Sequence, residues 1–280
     1  MNFSLLNDHF KAALAEDLGD GDHSSLACIP AAAQGKAHLL VKEECIVAGI
    51  SLAEHLFHLF GENIQFEAKM KDGMHAKVGD IAFVVHGPSA QLLTLERLVL
   101  NYMQRLSGIA TQANQYAKLV EGTKTKILDT RKTTPGLRLL EKWAVTLGGC
   151  YNHRIGLYDM IMLKDNHIDF AGGIEAAIAK TKHYLAEKNK NLSIEVEVRN
   201  FQELETVLRV GGIQRIMLDN FSVEETSKAV KQIGDKFEIE SSGGITYETL
   251  SDYAKCGVDF ISVGALTHQI KSIDLSLKAF

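Results

Sequence analysis

Residues Lys126–His167 read KILDTRKTTPGLRLLEKWAVTLGGCYNHRIGLYDMIMLKDNH, two apolar runs joined by a helix-patterned segment, each run ending in charge. The first run, Ile127 and Leu128, leads into Asp129, Arg131 and Lys132. The second, Met160 to Leu163, leads into Lys164, Asp165, Asn166 and His167, and His153 and Arg154 lie between the two. Apolar runs alternating with helical pattern are the mark of parallel strands joined by crossovers. From Arg131 to Lys164, six Lys or Arg stand against two acids, Glu141 and Asp159, in a chain of formal net charge -5. A local excess of cations in an acidic chain calls for an anionic ligand.

The pattern repeats downstream. Apolar runs begin near Ile127, Met160, Ile194, Ile216, Phe237 and Phe260, at intervals of about 21 to 34 residues that carry helical pattern. Six such units make either an incomplete βα barrel or a doubly wound sheet, since a full barrel of this type has eight. The third run, SIEVEV, places Glu195 and Glu197 on one face. The fourth ends in Asp219 and Asn220, the fifth in Glu240, Ser241, Ser242, Gly243 and Gly244, and the sixth in Gly264 and His268. In parallel βα architecture the carboxyl ends of the strands form one rim, where active sites lie. A buried Glu197 requires a cation, a hydroxyl or a metal, because an unpaired buried carboxylate is costly. The early cations can hold carboxylates or phosphates through charge-assisted bonds. The later acids suit Mg2+ or sugar hydroxyls, and the glycine turns let backbone N–H groups approach a phosphate. The rim therefore reads as the meeting place of a polyanionic acid and a phosphorylated, Mg2+-bound sugar.

Upstream, residues 3–18 have helical spacing, GDGDHSS reads as a solvated turn, residues 35–49 as a strand pair, and Ser51 to Phe60 as a helix. His55 and His58 lack a third ligand and read as structural. From Ser89 a long helical pattern runs onward, with a break or bend expected at Ser107-Gly108, and Arg97, Asn101 and Arg105 share one face. The domain boundary falls in this helical region, giving an amino-terminal α/β sandwich-like domain, residues 1–106 joined by the tail 270–280, and the repeating βα domain, residues 107–269.

Composition limits the function classes. With 46% hydrophobic and 23% charged residues the chain is ordinary globular protein. Its acidic balance argues against a general nucleic-acid or membrane-surface binder. No run approaches the ~20 apolar residues of a membrane span, and the amino terminus lacks a basic leader-like start, so a cytoplasmic protein is expected. Cys28, Cys45, Cys150 and Cys256 form no CxxC pair, which leaves neither a zinc site nor a disulfide framework in view.

The segments ERLVLNYMQRLSGIAT, DTRKTTPGLR, NHRIGLYDMIMLKDNH, EVEV, MLDN, ESSGGI and VGALTH, in this order, resemble the quinolinate phosphoribosyltransferases of NAD biosynthesis, as does the earlier EDLGDGDHSS. The resemblance implies a homodimer in which the amino-terminal domain of one subunit covers the open barrel of the other. It also implies the reaction: quinolinate and phosphoribosyl pyrophosphate give nicotinate mononucleotide, pyrophosphate and CO2, with Mg2+. Carried onto this chain, Arg131, His153, Arg154 and Lys164 resemble the quinolinate-carboxylate pocket, with Arg97 entering from the partner subunit. Lys132 corresponds to a pyrophosphate contact, Glu197 and Asp219 to ribose or Mg2+ contacts, and Ser242, Gly243 and Gly264 to the 5'-phosphate cradle. Three alternatives remain open at this point: another pyridine phosphoribosyltransferase or a molybdenum-transport-associated homologue; an aldolase-like barrel with Lys164 as a Schiff-base lysine, its pKa lowered by Arg131 and Arg154; and a non-catalytic anion-binding protein.

Overall fold

A computed structural model describes all 280 residues. The chain opens with a 3-10 turn, Phe3–Leu6, helices α1 (Asn7–Leu18) and α2 (His23–Cys28), strands β1 (Gln34–Val41) and β2 (Cys45–Ile46), helix α3 (Ile50–Phe60), strands β3 (Gln65–Ala68), β4 (His75–Ala76) and β5 (Ile81–Pro88), and the long helix α4 (Ser89–Lys118). Alternation follows: β6 (Lys126–Leu128), α5 (Arg138–Leu147), β7 (Ile161–Leu163), α6 (Asp165–Ala171), α7 (Ile174–Glu187), β8 (Ile194–Val198), α8 (Phe201–Val210), β9 (Arg215–Asp219), α9 (Val223–Ile233), β10 (Glu238–Ser242), α10 (Leu250–Lys255) and β11 (Phe260–Ser262). A short helix α11 (Ala265–His268) and a last strand β12 (Leu275–Ala279) close the described chain. No helix is long and apolar enough to cross a membrane.

The residues group into two compact units, one of Met1–Gln115, Thr134–Gly149 and Leu266–Phe280, the other of Tyr116–Thr133 and Cys150–Ala265. The first holds an antiparallel sheet of order β12-β1-β5-β3. Along β1, Ala37, Leu39 and Val41 are buried while the residues between them are more exposed, the period of a half-buried strand. Phe57 of α3 meets Phe83 of β5 edge-on at 6.1 Å, so the apolar face of that helix joins the core of this sheet. The expected strand pair within residues 35–49 does not form. Lys42, Glu43 and Glu44 supply no tight-turn residue, both edges of β1 are taken by β5 and β12, and Cys45–Ile46 pairs with β4 instead.

Two local devices were hidden in the sequence. Asp72 accepts the N–H groups of Gly49 at 2.6 Å, Ile50 at 2.8 Å and Ser51 at 3.1 Å, and so caps the start of α3 from a distant loop. At Ser107-Gly108 the expected break is absent, and α4 runs through as one helix of 30 residues. Ser107 Oγ accepts the Ala48 N–H at 3.0 Å, and a Cβ on Gly108 would lie 2.2 Å from the Lys271 carbonyl oxygen. This pair of small residues marks close backbone packing, not a helix end.

The second unit holds a six-stranded sheet of order β6-β11-β10-β9-β8-β7, parallel at every pairing. That is the cyclic chain order of a βα barrel opened between β6 and β7, which selects the incomplete barrel over the doubly wound sheet. Each strand starts within one residue of the position expected from its apolar run. Ile194–Val198 is buried at every position, as in sheets covered on both faces.

Candidate active site

At the rim of the second unit the expected residues come from successive strand ends. Asp129, fully buried after β6, accepts the backbone N–H of His153 at 2.9 Å and ties the segment before β7 to the first strand. Arg131 and Lys132 follow Asp129 on an exposed loop, and Lys132 donates its backbone N–H to Thr130 Oγ1 at 3.0 Å. The Arg154 guanidinium, half-buried, donates to the Met160 carbonyl at 3.3 Å. Its pKa is lowered first by burial and then by the charge of Arg131, so the two guanidinium groups lie near enough to repel. Two cations gathered in this way favour an anion between them.

Lys164, which ends β7, places Nζ 2.6 Å from Glu197 Oε2. This supplies the cation that the buried glutamate required. Asp219, at the end of β9, has its carboxyl pKa raised by burial and then by the negative charge of Glu197, with Asn220 Nδ2 donating to it at 2.8 Å. One ammonium thus faces two neighbouring carboxylates, a donor set of hard oxygens that fits a divalent cation such as Mg2+. The next turn depends on glycine. Gly243 has φ +89°, and a Cβ there would fall 2.3 Å from Asn220 Oδ1 and 2.9 Å from Asn220 N. Ser242 and Asn220 are joined by a backbone bond of 2.9 Å, and Gly264 follows β11 at the same rim.

Beneath this rim lies a charge cluster that the sequence reading did not assign. His153 Nε2 lies 3.0 Å from Glu195 Oε2 on β8 and 3.5 Å from Glu240 Oε2 on β10. Arg215 on β9 donates to the same Glu240 oxygen at 3.0 Å, and its guanidinium stacks on the Phe260 ring at 3.9 Å. Glu195 and Glu240 are both fully buried. Burial disfavours a charged imidazole, but the hydrogen bonds it donates to Glu195 and Glu240, with their charges, outweigh it and raise the His153 pKa to about 9. Glu195 is pushed up by burial and by Glu240; Glu240 is drawn down because His153 and Arg215 outweigh its burial. The three ligand atoms of His153, Glu195 and Glu240 lie within 4.8 Å of one another, a spacing open to a metal ion, but Arg215 already supplies a cation there. The usable signal was acids inside Ile/Val-rich runs; that Arg215 lies beside Glu195 in the β8–β9 register follows from the strand order alone.

Arg97 belongs to the first unit. It is exposed on α4 and lines a cavity of about 320 Å³ with Asp17, Asp22, His23 and Thr94. Asp22 caps α2 by accepting the Ser25 N–H at 3.1 Å, and it also accepts the Thr94 hydroxyl at 3.0 Å, so the solvated turn is in fact a tethered one. Arg105, two turns on from Arg97, is spent within the unit on the buried Glu141 at 2.7 Å and on Thr134 at 2.8 Å. His55, read as structural, lies 2.8 Å from Asn7 Oδ1.

Known proteins agree with this architecture. The sequence models of the quinolinate phosphoribosyl transferase amino-terminal and carboxyl-terminal domains match residues 22–107 and 109–278. The chloroplastic carboxylating nicotinate-nucleotide pyrophosphorylase of Arabidopsis thaliana is 43% identical over 96% of the chain and 81% of its own length. The probable carboxylating nicotinate-nucleotide pyrophosphorylase of Bacillus subtilis is 42% identical over 98% and 91%. The crystal structure of NadC from Streptococcus pyogenes superposes with TM-score 0.94 at 39% identity, covering 99% of this chain and 97% of that one. With both of its domains matched nearly end to end, the chain belongs to the quinolinate phosphoribosyltransferase family.

Proposed function

We propose that the chain carries out the decarboxylating quinolinate phosphoribosyltransferase reaction of NAD biosynthesis at the rim of its open barrel, with the cations of the early strands holding the acid and the later strands holding the phosphorylated sugar. The pyridine nitrogen of quinolinate attacks the anomeric carbon of phosphoribosyl pyrophosphate, and pyrophosphate leaves. The electron pair of the adjacent C–CO2 bond stays on the ring carbon, stabilised by the positive charge of the neighbouring ribosylated nitrogen as CO2 departs, and a proton taken up at that carbon completes nicotinate mononucleotide.

The observation that carries this reading is the division of the rim by charge: Arg131 crowding Arg154 on one side, Lys164 with Glu197 and Asp219 on the other. Arg131, His153, Arg154 and Lys164 bind and orient the dicarboxylate, since positioning two reactants removes much of the entropic barrier. Lys132 meets the leaving pyrophosphate. Glu197 stabilises positive charge developing on the ribose, an electrostatic contribution available only in the transition state. Ser242, Gly243 and Gly264 receive the 5'-phosphate on backbone donors. Mg2+ would be held by Glu197 and Asp219, whose mutual repulsion favours it, and when bound it would supply charge neutralisation of the pyrophosphate. Arg97 completes the acid pocket from the partner subunit of a homodimer, supported by its exposure on α4.

The Schiff-base reading of Lys164 is set aside, because its ammonium is engaged by Glu197 at 2.6 Å and the family is one of phosphoribosyl transfer. The deciding assay supplies purified protein with quinolinate, phosphoribosyl pyrophosphate and Mg2+. Nicotinate mononucleotide and CO2 are expected in equal amounts, and none when nicotinate replaces quinolinate; no product from quinolinate would end the reading.

A further inference from the structure

The His153 ring is used at both nitrogens. Nε2 faces Glu195 at 3.0 Å and Glu240 at 3.5 Å, and the Glu240 carboxyl, drawn down by His153 and Arg215, only accepts, which places Nε2 as the donor between the two. Nδ1 lies 2.7 Å from the backbone nitrogen of Arg154, whose N–H points at it. These two facts pull in opposite directions. The Arg154 N–H requires a bare Nδ1 and a neutral ring. Two buried carboxylates, with only Arg215 to offset them, favour a second proton on the ring. Once Nδ1 is protonated, its N–H and the Arg154 N–H can no longer bond to each other, and both need an acceptor. Glu195 Oε1 and Glu240 Oε1 also have no hydrogen-bond partner, so this cluster holds more acceptors than donors.

We propose that Glu195, Glu240 and Arg215 are positioning residues for acid binding: they fix the His153 ring through Nε2 so that Nδ1–H and the Arg154 amide form a two-donor seat for one carboxylate oxygen of the acceptor. The inference rests on the proposed acceptor being a pyridine dicarboxylate. None of the three residues touches that substrate. Asp129, which accepts the His153 backbone N–H, holds the ring's own segment from β6, and Arg154 flanks the seat with its guanidinium half-buried. Charged groups facing the ring include Glu195 from β8 and Glu240 from β10, with Arg215 of β9 acting through Glu240; Asp129 after β6 meets the His153 backbone, and Arg154 lies beside it.

The imidazole nitrogens of the wild-type protein without substrate are read first, by nitrogen-resolved NMR across pH 6 to 10. Nδ1 is expected to be the titrating nitrogen while Nε2 keeps its proton; titration at Nε2 overturns the proposal without any variant. In Glu195→Gln and Glu240→Gln, with folding checked by near-ultraviolet circular dichroism, the His153 titration is expected to fall by about one pH unit or more. KM for quinolinate is expected to rise about tenfold, while KM for phosphoribosyl pyrophosphate stays within about twofold. An unmoved titration, or equal changes in both KM values, overturns it, as does tight binding of one Zn2+ that displaces the Nε2 proton. If wild-type protein leaves quinolinate unreacted and unbound, the proposed function fails, and with it the seat; if it turns quinolinate over with the His153 titration unmoved in the variants, the positioning role alone fails.

Discussion

At the scale of single residues, the site is built from charges whose cost is met by neighbours. Glu197 is tolerated in a fully buried strand because Lys164 neutralises it, and the pair leaves Asp219 with an unfavourable neighbour. Glu197→Gln removes the carboxylate that faces the ribose, and kcat is expected to drop by about 100-fold or more with quinolinate binding little changed, read by steady-state kinetics in both substrates. His153 gives a stability signature with a definite sign. Its folded pKa of about 9 exceeds its ordinary value of 6.5, so the native state binds the proton more tightly than the unfolded state. The stabilisation is complete below about pH 6.5 and is lost as pH rises through about 9. In urea denaturation of the wild type against His153→Gln, the gap in stability is expected to narrow between pH 6 and pH 9.5. Rim residues such as Arg131, Lys164 and Asp219 were legible in the sequence because strand ends announce themselves in chain order. The pairing of Arg215 with Glu240 was not, because it depends on which strands become neighbours, and an arginine at the start of a strand looks like any solvated charge.

At the scale of elements, regular spacing carried the information, and close approach hid it. The six barrel strands could be read from apolar runs at crossover distance, since both period and length are local properties. Ser107-Gly108 was misread because the reason for that glycine is the backbone of Lys271, which no window around residue 108 contains. Asp72 acts on α3 in the same non-local way. Asp72→Ala leaves the first N–H groups of α3 without their acceptor and is expected to cost about 1–2 kcal/mol in thermal or urea unfolding, with the KM values unchanged. Gly243→Ala belongs to the opposite class. Its Cβ would collide with Asn220 at a positive φ, so KM for phosphoribosyl pyrophosphate is expected to rise about tenfold or more, while KM for quinolinate moves less.

For the whole molecule, the expected homodimer makes a prediction that no single-chain account shares. Arg97→Ala and Lys132→Ala are each expected to be inactive alone, yet mixing them under subunit exchange is expected to restore part of the activity, because hybrid dimers contain one site with both residues intact. Activity that stays absent while mass spectrometry detects hybrids would place Arg97 and Lys132 in the same subunit's site. One feature of the first sheet bears on how such a protein is made. Its edge strand, Leu275–Ala279, lies beside β1, whose residues are synthesised far earlier. Every strand of the open barrel is synthesised before that partner exists, while one edge of β1 waits with bare backbone donors and acceptors. A nascent chain stalled or cleaved ahead of Leu275 therefore offers a sticky strand to its neighbours on the polysome, and Leu275–Ala279 is the seal that ends this exposure.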